Sequence, residues 1–314
     1  MRKFLITGGA GFIGANLVGR LLQDGGNSIT VMDNLQTGCK RNVDIFSGNK
    51  NYKFIKNDII RPAKNIGKFD VVLNLACPAS PPRYYEDPVH TLETCSIGTK
   101  NILEIAKASK ARFIQTSTSE IYGDPLEHPQ KESYFGNVNP YCKRSCYDEG
   151  KRYAEALIFE YKHLHNLNTG VIRIFNTYGP LMDPEDGRVV TNFIKQALRD
   201  EDITIQSDGE QTRSFCYIDD QVNGIIKMIE SDFEGPVNIG NPVEFTVNEL
   251  ADLVIKITNS KSKKINVEAA LSDPKQRKPD ITLAKKELGW SPKVNLEEGV
   301  KRTIAWFGEI GYGK

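Results

Sequence analysis

The sequence predicts an α/β fold with a doubly wound, mostly parallel sheet and a smaller C-terminal lobe. Three observations support this fold class. A glycine-rich turn follows the first apolar strand, strand and helix patterns alternate from residue 2 to about residue 176, and chemically useful residues stand directly after several strands. In open α/β sheets, ligands bind outside the carboxyl ends of the strands. Residues that are distant in sequence are therefore expected to line one crevice.

The first element is a predicted strand, residues 2–7, that leads into a glycine-rich turn and a helix. Gly8 allows a tight bend, Gly11 lets the backbone approach a pyrophosphate, and Gly14 permits close packing of the helix, whose N-terminus offers free N–H groups. The second strand ends at Asp33, where a carboxylate accepts hydrogen bonds from an adenosine ribose and disfavours a 2′-phosphate. This pattern predicts a Rossmann site for NAD rather than NADP.

Four further strands are predicted, and each leads into residues suited to contact a ligand. The strands and the residues after them are 53–55 before Asp58 and Ile59, 71–75 before Ala76, Cys77 and Pro78, 113–115 before Thr116 and Thr118, and 169–174 before Asn176 and Thr177. Because the carboxyl ends of parallel strands share one edge of the sheet, these residues are expected to lie together. Asp58 has an alternative role, since an aspartate at such a position also stabilises turns.

From residue 175 onward the pattern loosens into helices, short strands and polar loops that are rich in proline. Residues 215–229, followed by 236–240, are regular enough to return to the main sheet. We therefore predict that residues 1–175 plus about 215–240 form the NAD-binding Rossmann domain. Residues about 176–214 plus 241–314 then form the smaller substrate-binding lobe.

Composition restricts the class of protein. With 314 residues and 39% hydrophobic content, the chain is able to bury a large core, and its net charge of +1 argues against a nucleic-acid partner. No apolar run approaches the roughly 18 residues that span a bilayer, and the first strand leaves no room for a signal peptide. We expect a soluble, cytoplasmic protein without a membrane partner. Its six cysteines lack paired CxxC spacing, so neither a metal site nor a disulfide framework is predicted.

Tyr147 and Lys151 are the most informative pair in the chain. They lie one helical turn apart, so both side chains are able to reach one point in space. A phenol has a pKa of about 10, and a nearby ammonium favours the phenolate. Beside a nicotinamide, this pair predicts a base that deprotonates an alcohol while its carbon loses a hydride. Glu120, about thirty residues earlier, indicates a second chemical step.

The glycine turn at residues 7–14, together with Tyr147 and Lys151, resembles the extended short-chain dehydrogenase/reductase family, which acts mostly on nucleotide sugars. Within that family the chain resembles the UDP-glucuronate decarboxylases, also called UDP-xylose synthases, essentially from end to end. The most specific segments are residues 76–82 and 144–152. The other similar segments are 116–125, 137–140, 173–180, 186–194 and 211–220.

The resemblance implies oxidation at C4 of UDP-glucuronate, loss of carbon dioxide from the resulting β-keto acid, and reduction back to give UDP-xylose. On this hypothesis Tyr147 takes the C4 hydroxyl proton, Lys151 lowers the pKa of Tyr147 and holds a nicotinamide ribose hydroxyl, and Thr118 hydrogen-bonds the same oxygen. Because the reaction has no net redox change, NAD is expected to stay tightly bound and to be recycled.

The carboxyl step is assigned by the same resemblance to Glu120 and Arg277, with Ser119 assisting. Glu120 would destabilise the substrate carboxylate by like charge, or relay a proton. Arg277 would bind the acid and steady the developing enolate. Since an arginine pKa above about 12 makes proton donation by Arg277 implausible, a water that it holds is the expected donor.

The resemblance also supplies the binding residues. Arg188 and Arg213 are expected to hold the phosphates of UDP through bidentate hydrogen bonds. The substrate-binding set is Pro78, Glu120, Asn176, Arg188, Val190, Arg213 and Arg277. The cofactor-binding set is Gly8, Gly11, Phe12, Ile13, Asp33, Asn34, Thr37, Gly38, Asp58, Ile59, Leu75, Ala76, Cys77, Thr94, Thr116, Tyr147, Lys151 and Thr177.

The chain departs from the family pattern at three places. Cys39 replaces a usual arginine, Cys95 and Ser96 stand where Asn-Val is typical, and residues 141–143 replace Ile-Gly-Pro. None of these changes removes a reacting group. They leave open another nucleotide-linked uronic acid as the substrate.

Four other functions are consistent with the same residues. A nucleotide-sugar 4-epimerase would also use Tyr147, Lys151 and NAD, although a glutamate at position 120 is not usual there. A 4,6-dehydratase normally has aspartate where Ser119 stands. A decarboxylase that releases UDP-4-keto-pentose and NADH is the closest alternative, and the sequence scarcely separates it. A catalytically silent NAD-sensing scaffold would keep the glycine turn but commonly lose Tyr147 or Lys151.

The resemblance further implies a homodimer, because extended members usually pair through two helices of each subunit, here about residues 88–109 and 145–165. The second helix has a stripe of apolar and aromatic residues at helical spacing, which core packing within one subunit explains equally well. Its members are Tyr153, Leu157, Tyr161 and Leu164.

Overall fold

The computed structural model describes residues 1–268 and 276–312. Its strands are β1 (Arg2–Thr7), β2 (Asn27–Asp33), β3 (Tyr52–Lys56), β4 (Val71–Asn74), β5 (Arg112–Thr118), β6 (Thr169–Ile174), β7 (Thr177–Tyr178), β8 (Ile203–Gln206), β9 (Thr212–Ser214), β10 (Cys216–Tyr217), β11 (Val237–Ile239), β12 (Glu244–Thr246), β13 (Lys264–Val267) and β14 (Gln276–Arg277).

The α-helices alternate with the strands in the first half and dominate the second. They are α1 (Phe12–Gln23), α2 (Lys40–Asp44), α3 (Pro81–Glu86), α4 (Pro88–Glu93), α5 (Thr99–Ser109), α6 (Ser145–His165), α7 (Val189–Leu198), α8 (Ile218–Glu230), α9 (Val247–Thr258), α10 (Thr282–Leu288) and α11 (Leu296–Glu309). A π-helical turn (Thr94–Gly98) joins α4 to α5, and a 3₁₀ turn (Ser119–Tyr122) follows β5.

The central sheet has seven strands in the order β11-β6-β5-β4-β1-β2-β3, and every neighbouring pair is parallel. The predicted doubly wound Rossmann sheet is therefore confirmed. At the carboxyl ends of its middle strands, Thr7 Oγ1 donates to Asn74 Oδ1 over 2.6 Å, and Asn74 Nδ2 donates to Gln115 Oε1 over 2.9 Å. This ladder of buried polar side chains fixes the edge of the sheet beneath the crevice.

Alternation along the strands places apolar side chains on both faces of the sheet. In β1, Phe4 and Ile6 pack into a core with α1 and α8, whereas Leu5 joins a second core with α5 and α6. A strand that is buried on both faces reads as a continuous apolar run, which is what residues 4–6 show. The helices thus cover both faces and leave the carboxyl ends of the strands open.

The chain after residue 174 adds short sheets and helices to this layer structure. β7 pairs with β10, β8 with β13, and β9 lies between β12 and β14, while β11 joins the central sheet. The first core continues into this region through Phe193, Leu250, Trp290 and Phe307, so apolar packing is shared between the two parts of the chain. The proposed boundaries of the two lobes stay a prediction.

Gly14 tests the packing of the glycine turn. A Cβ built on Gly14 would lie 2.3 Å from the carbonyl oxygen of Gly8, which is backbone that cannot easily retreat. We expect Gly14→Ala to lower the free energy of unfolding by about 1–3 kcal/mol, the usual cost of overpacking. Chemical denaturation of the protein without added cofactor measures this change.

Gly19 in the same helix is the matched control, because a Cβ there would meet only the Phe46 ring, at 3.4 Å. Since alanine favours helix interiors by up to about 1 kcal/mol over glycine, Gly19→Ala is expected to be neutral or stabilising. Equal stability of the two variants would show that the turn has more room than the structure indicates.

Candidate active site

A cavity of 1210 Å³ opens at the carboxyl ends of the central strands, where the chain after residue 174 packs over the sheet. Typical small-molecule pockets enclose about 300–1,000 Å³, so this crevice has room for a large ligand or for two. It is lined by all the sequence-predicted site residues except Arg277. Arg277 is buried and contacts the site through Glu120.

The glycine turn between β1 and α1 forms one end of the crevice and fits a dinucleotide. Gly8 has φ +70°, and a Cβ there would lie 2.7 Å from the backbone of Leu75 and Ala76. The backbone of the glycine turn therefore lies against the backbone that follows β4. This is the region where a pyrophosphate would need access to free N–H groups. Gly11 precedes α1 without a capping side chain, and the first residues of the helix line the crevice, so their N–H groups are the feature that fits a dinucleotide cofactor.

Asp33 lies at the end of β2 and is almost fully buried. Its carboxylate accepts hydrogen bonds from the backbone N–H groups of Ala10, at 3.0 Å, and Leu35, at 2.8 Å. Burial raises the pKa of Asp33, and these two hydrogen bonds oppose that rise. Asp33 thus joins the glycine turn to the loop that carries Thr37 and Gly38, in addition to facing the crevice.

Asp58 combines the two roles that the sequence left open. Its Oδ1 accepts from the backbone N–H of Ile60 at 3.1 Å, which is the turn-stabilising arrangement. Its Oδ2 contacts Asn34 Nδ2 and His90 Nε2, both at 2.8 Å. Although burial acts to raise it, these hydrogen bonds lower the pKa of Asp58. Sequence reasoning missed His90, and the separation of 32 residues from Asp58 gave no signal.

Tyr147 and Lys151 are buried side by side on α6. Lys151 Nζ donates to the carbonyl oxygen of Thr116 at 3.1 Å and lies 5.8 Å from the centre of the Tyr147 ring. Tyr84 stacks on the other side, with ring centres 5.2 Å apart and an interplanar angle of 6°. The helix and the end of β5 therefore hold the pair in one orientation.

The two pKa values are set by opposing effects. Burial raises the pKa of Tyr147 above its ordinary value, while the Lys151 charge and the Thr118 hydroxyl act to lower it. For Lys151, burial acts to lower the pKa, but the negative forms of Cys77 and Tyr147 outweigh it and the pKa is raised. Lys151 thus keeps its positive charge at neutral pH. Its predicted effect on Tyr147 has the expected direction, but burial is the larger effect.

Thr118 and Ser119 stand where β5 turns into the 3₁₀ segment. Thr118 Oγ1 accepts a hydrogen bond from the backbone N–H of Glu120 at 3.2 Å and so caps this turn. Both residues are buried and both line the crevice. The cap fixes the direction in which Glu120 leaves the sheet.

Glu120 is shared by two arginines. One carboxylate oxygen contacts Arg277, and the other contacts Arg144. Although burial acts to raise it, the charges of Arg277 and Arg144 and their hydrogen bonds lower the pKa of Glu120 to about 2. The glutamate is therefore ionised at neutral pH, and the three side chains together carry one net positive charge.

Arg144 was missed by the sequence reasoning, which assigned only Arg277 to this region. Arg144 is the residue before the first turn of α6 and lines the crevice, whereas Arg277 lies behind Glu120 and also donates to the carbonyl oxygen of Gly123 at 3.3 Å. The sequence did contain a signal for Arg144: it lies three residues before Tyr147, and residues at that spacing share a helix face.

Asp148 adds a second carboxyl group next to this cluster. Burial and the charge of Glu120 raise the pKa of Asp148 to about 7, while Arg144 and Arg277 act to lower it. Arg144 Nε is 3.8 Å from Asp148 Oδ2. The charge of this site therefore changes near neutral pH.

The residues predicted to hold phosphates lie on the opposite wall. Arg188 precedes α7 and contacts both carboxylate oxygens of Asp186, with Nη2 2.9 Å from Oδ2. Val190 is buried at the start of the same helix, and Asn176 is half-buried after β6. Arg213 on β9 lies beside Arg277 on β14 in register. Two arginines of this wall thus come from different elements and face one cavity.

Within residues 1–268 and 276–312, no helix combines the length and the apolar character that crossing a bilayer requires. The same ranges contain no cluster of three or more histidine, cysteine or acidic side chains arranged to hold a metal ion.

Known proteins are similar in sequence to this chain over most of its length. The family model described as GDP-mannose 4,6 dehydratase matches residues 5–303. UDP-glucuronic acid decarboxylase 5 of Arabidopsis thaliana is 52% identical over 298 residues, which cover 95% of this chain and 87% of that protein. UDP-glucuronic acid decarboxylase 1 of Xenopus tropicalis is 47% identical over 306 residues, which cover 98% and 72%.

Solved structures with a similar fold include enzymes with related ligands. UDP-glucose 4-epimerase of Thermotoga maritima, solved with UDP-glucose, gives a TM-score of 0.91 at 31% identity, covering 98% of this chain and 99% of that one. UDP-glucuronic acid 4-epimerase of Bacillus cereus, in complex with UDP-glucuronic acid and NAD, gives 0.89 at 28% identity, with 98% and 99% covered. The chain belongs to the UDP-glucuronic acid decarboxylases of the extended short-chain dehydrogenase/reductase family.

Proposed function

We propose that this protein decarboxylates UDP-glucuronate to UDP-xylose through a 4-keto intermediate, with NAD tightly bound and regenerated in the site. One observation carries the proposal: the Tyr147 and Lys151 pair and the arginine-flanked Glu120 meet at one crevice beside a dinucleotide-type glycine turn. The first pair suits alcohol oxidation, and the second cluster suits a carboxylate. A decarboxylase that works through a ketone needs both.

Bound NAD supplies a hydride acceptor at the sugar C4 and a hydride donor after carbon dioxide has left. The residues that would hold it are the glycine turn with Gly8 and Gly11, Asp33 at the ribose, and Asp58 at the far end of the same wall. Lys151 lies at the opposite end, where its ammonium is fixed by the Thr116 carbonyl. These positions follow one edge of the sheet, which is the course expected of an extended dinucleotide.

Tyr147 is the residue that moves the proton of the C4 hydroxyl. Its phenol oxygen accepts that proton when the alcohol is oxidised and returns it when the ketone is reduced. The Lys151 charge and the Thr118 hydroxyl both act to lower the pKa of Tyr147 and so favour the phenolate. Burial disfavours the charged phenolate form of Tyr147, so Tyr147 acts as a base only because the Lys151 ammonium is beside it.

The carboxyl step depends on the net charge around Glu120. With a pKa of about 2, Glu120 has no proton to give at neutral pH, and its negative charge is outnumbered by Arg144 and Arg277. While Asp148 is protonated, attraction of the substrate carboxylate therefore exceeds repulsion, and ionisation of Asp148 as the pH rises through about 7 weakens it. We assign to Glu120 the role of fixing both guanidinium groups, and to Arg144, which lines the crevice, direct contact with the substrate carboxylate.

UDP would extend over the opposite wall. Arg188 and Arg213 face the crevice from α7 and β9, and guanidinium groups bind phosphate oxygens in bidentate fashion. Pro78, Asn176 and Val190 complete this wall. The second lobe, which we place at about residues 176–214 and 241–314, thereby holds the nucleotide while the sheet edge holds the cofactor.

Two subunits would pair through the helical run of residues 88–109 and through α6. Apolar side chains are exposed along both helical segments, although other side chains of each segment pack into the core of their own subunit. On the first they include Val89, 64% exposed, and Leu92, 42% exposed; on α6 they include Tyr153, 51% exposed, and Leu164, 73% exposed. Tyr161 of the predicted stripe is buried, so only part of that stripe is available.

Product analysis with Tyr147→Phe tests the function. NMR of a reaction with UDP-glucuronate and catalytic NAD should show UDP-xylose, and Tyr147→Phe should reduce turnover by about 10²–10⁴-fold, the usual contribution of a general base. Tyr84→Phe keeps the ring that stacks on Tyr147 and should stay within about tenfold of the parent. UDP-4-keto-pentose with stoichiometric NADH, UDP-galacturonate, or no product would each contradict the proposal.

Arg144 is tested by comparing ligands with and without a carboxylate. Arg144→Met should weaken binding of UDP-glucuronate by about 10–150-fold, since charged hydrogen bonds contribute about 1.5–3 kcal/mol. Binding of UDP-glucose, which lacks the carboxylate, should change little, and calorimetry measures both. Lys143→Met removes a neighbouring cation from the same crevice and serves as the control. Equal loss for both ligands would refute a role for Arg144 at the carboxylate.

The dimer is tested by light scattering coupled to size exclusion. The parent should have twice the 35.2 kDa mass of the chain. Tyr153→Lys should shift the mass toward the monomer, because a charge then replaces apolar contact area. Leu126→Lys, at a loop position that is 81% exposed, should leave the dimer intact. A monomeric parent protein would exclude the proposed interface.

A further inference from the structure

Two cysteine thiols touch each other behind the catalytic helix. Cys77 follows β4 and lines the crevice, whereas Cys95 is buried in the π-helical turn between α4 and α5. Their sulfur atoms are 3.4 Å apart. All six cysteines of the chain are free thiols, so this contact is between two reduced side chains. Disulfide sulfurs are about 2.05 Å apart, so a shift of little more than 1 Å separates contact from bonding.

The pair is wedged against the turn of α6 that carries the catalytic residues. A Cβ built on Gly150 would lie 3.1 Å from both the Cβ and the Sγ of Cys95, so the glycine makes room for this thiol. Cys77 packs against the buried cluster of Tyr84, Cys146 and Tyr147. A displacement of these two sulfur atoms would therefore also displace Tyr147 and the crevice wall.

The surroundings favour reaction at Cys77 first. It is half-buried and faces the crevice, whereas Cys95 is 3% exposed. The hydrogen bond from Cys95 and the charges of Lys151 and His90 lower the pKa of the Cys77 thiol, although burial opposes them. The thiolate is the form that attacks peroxides. The chain thus has an attacking sulfur on a residue of the crevice wall with a resolving thiol in contact behind it.

We propose that Cys77 and Cys95 form a reversible disulfide when the protein meets hydrogen peroxide, and that this bond lowers activity by displacing the crevice wall. The Cys77 thiolate attacks one peroxide oxygen, breaks the O–O bond and gives a sulfenic acid with release of hydroxide. The Cys95 sulfur then attacks the sulfenic sulfur and displaces its oxygen as water, taking the pair from two thiols to one disulfide. In total two thiols and one peroxide give one disulfide and two waters, and a dithiol reductant reverses the change.

The consequence for activity follows from the position of the bond. Joining Cys77 to Cys95 draws the loop after β4, which includes Pro78 of the crevice wall, toward the π-helical turn. The sulfur near Lys151 is then neutral and displaced. This second part of the proposal rests on the proposed function, whereas formation of the bond does not.

The test treats the protein with hydrogen peroxide and follows thiols and activity separately. Free thiols should fall from six to four, a linked peptide pair containing Cys77 and Cys95 should appear on digestion without reductant, and UDP-xylose formation should fall in parallel. Dithiothreitol should restore both thiols and activity. Six retained thiols, or a disulfide that links another cysteine, would overturn the proposal. A disulfide that leaves turnover unchanged would overturn its link to activity.

Two variants separate the pair from its neighbour. Cys95→Ser removes the resolving thiol, so it should form no linked peptide and should lose at most one thiol, as a Cys77 sulfenic acid that dithiothreitol also reduces. Cys146→Ser removes the third thiol of this region and should behave as the parent does. If the parent made no UDP-xylose at all, the proposed function would fail while the thiol count and the peptide map still decided the disulfide.

Discussion

The ion pairs of Glu120 connect the three parts of the molecule on which the site depends. The glutamate follows β5 of the central sheet, Arg144 directly precedes helix α6, and Arg277 lies on β14 of a small sheet in the second half of the chain. Removing one partner of such a buried cluster leaves an uncompensated charge and costs about 3–5 kcal/mol. The sheet edge, the helix and the second lobe are therefore held at one point by charge.

The two arginines change the electrostatic effect that Glu120 would have on a substrate that carries a carboxylate. A lone glutamate would repel the sugar acid and would hold its proton to higher pH. Two flanking guanidinium groups lower its pKa to about 2 and reverse the local charge. An acidic side chain in a crevice therefore says little about the charge of the ligand until its partners are known, because the partners decide the sign of the local charge.

Fold and function separate clearly in this protein. Epimerases with TM-scores of 0.89 and 0.91 share the fold at 28% and 31% identity, while the two decarboxylases named above are 52% and 47% identical. The shared fold therefore identifies the architecture of the crevice and not the reaction carried out in it. Function depends on the site that a fold carries, and on our proposal the side chains that direct the fate of the sugar include Ser119, Glu120 and Arg144.

The sequence by itself determined the alternation of strands and helices, the glycine turn and the spacing of Tyr147 and Lys151, because these depend on local periodicity and on backbone freedom. It also predicted that residues after the strands would share one edge. Only the tertiary structure decided that Arg144 reaches Glu120, that His90 meets Asp58, and that Cys77 touches Cys95. Such contacts join residues from separate elements, and their distances and charges depend on packing that no local pattern records.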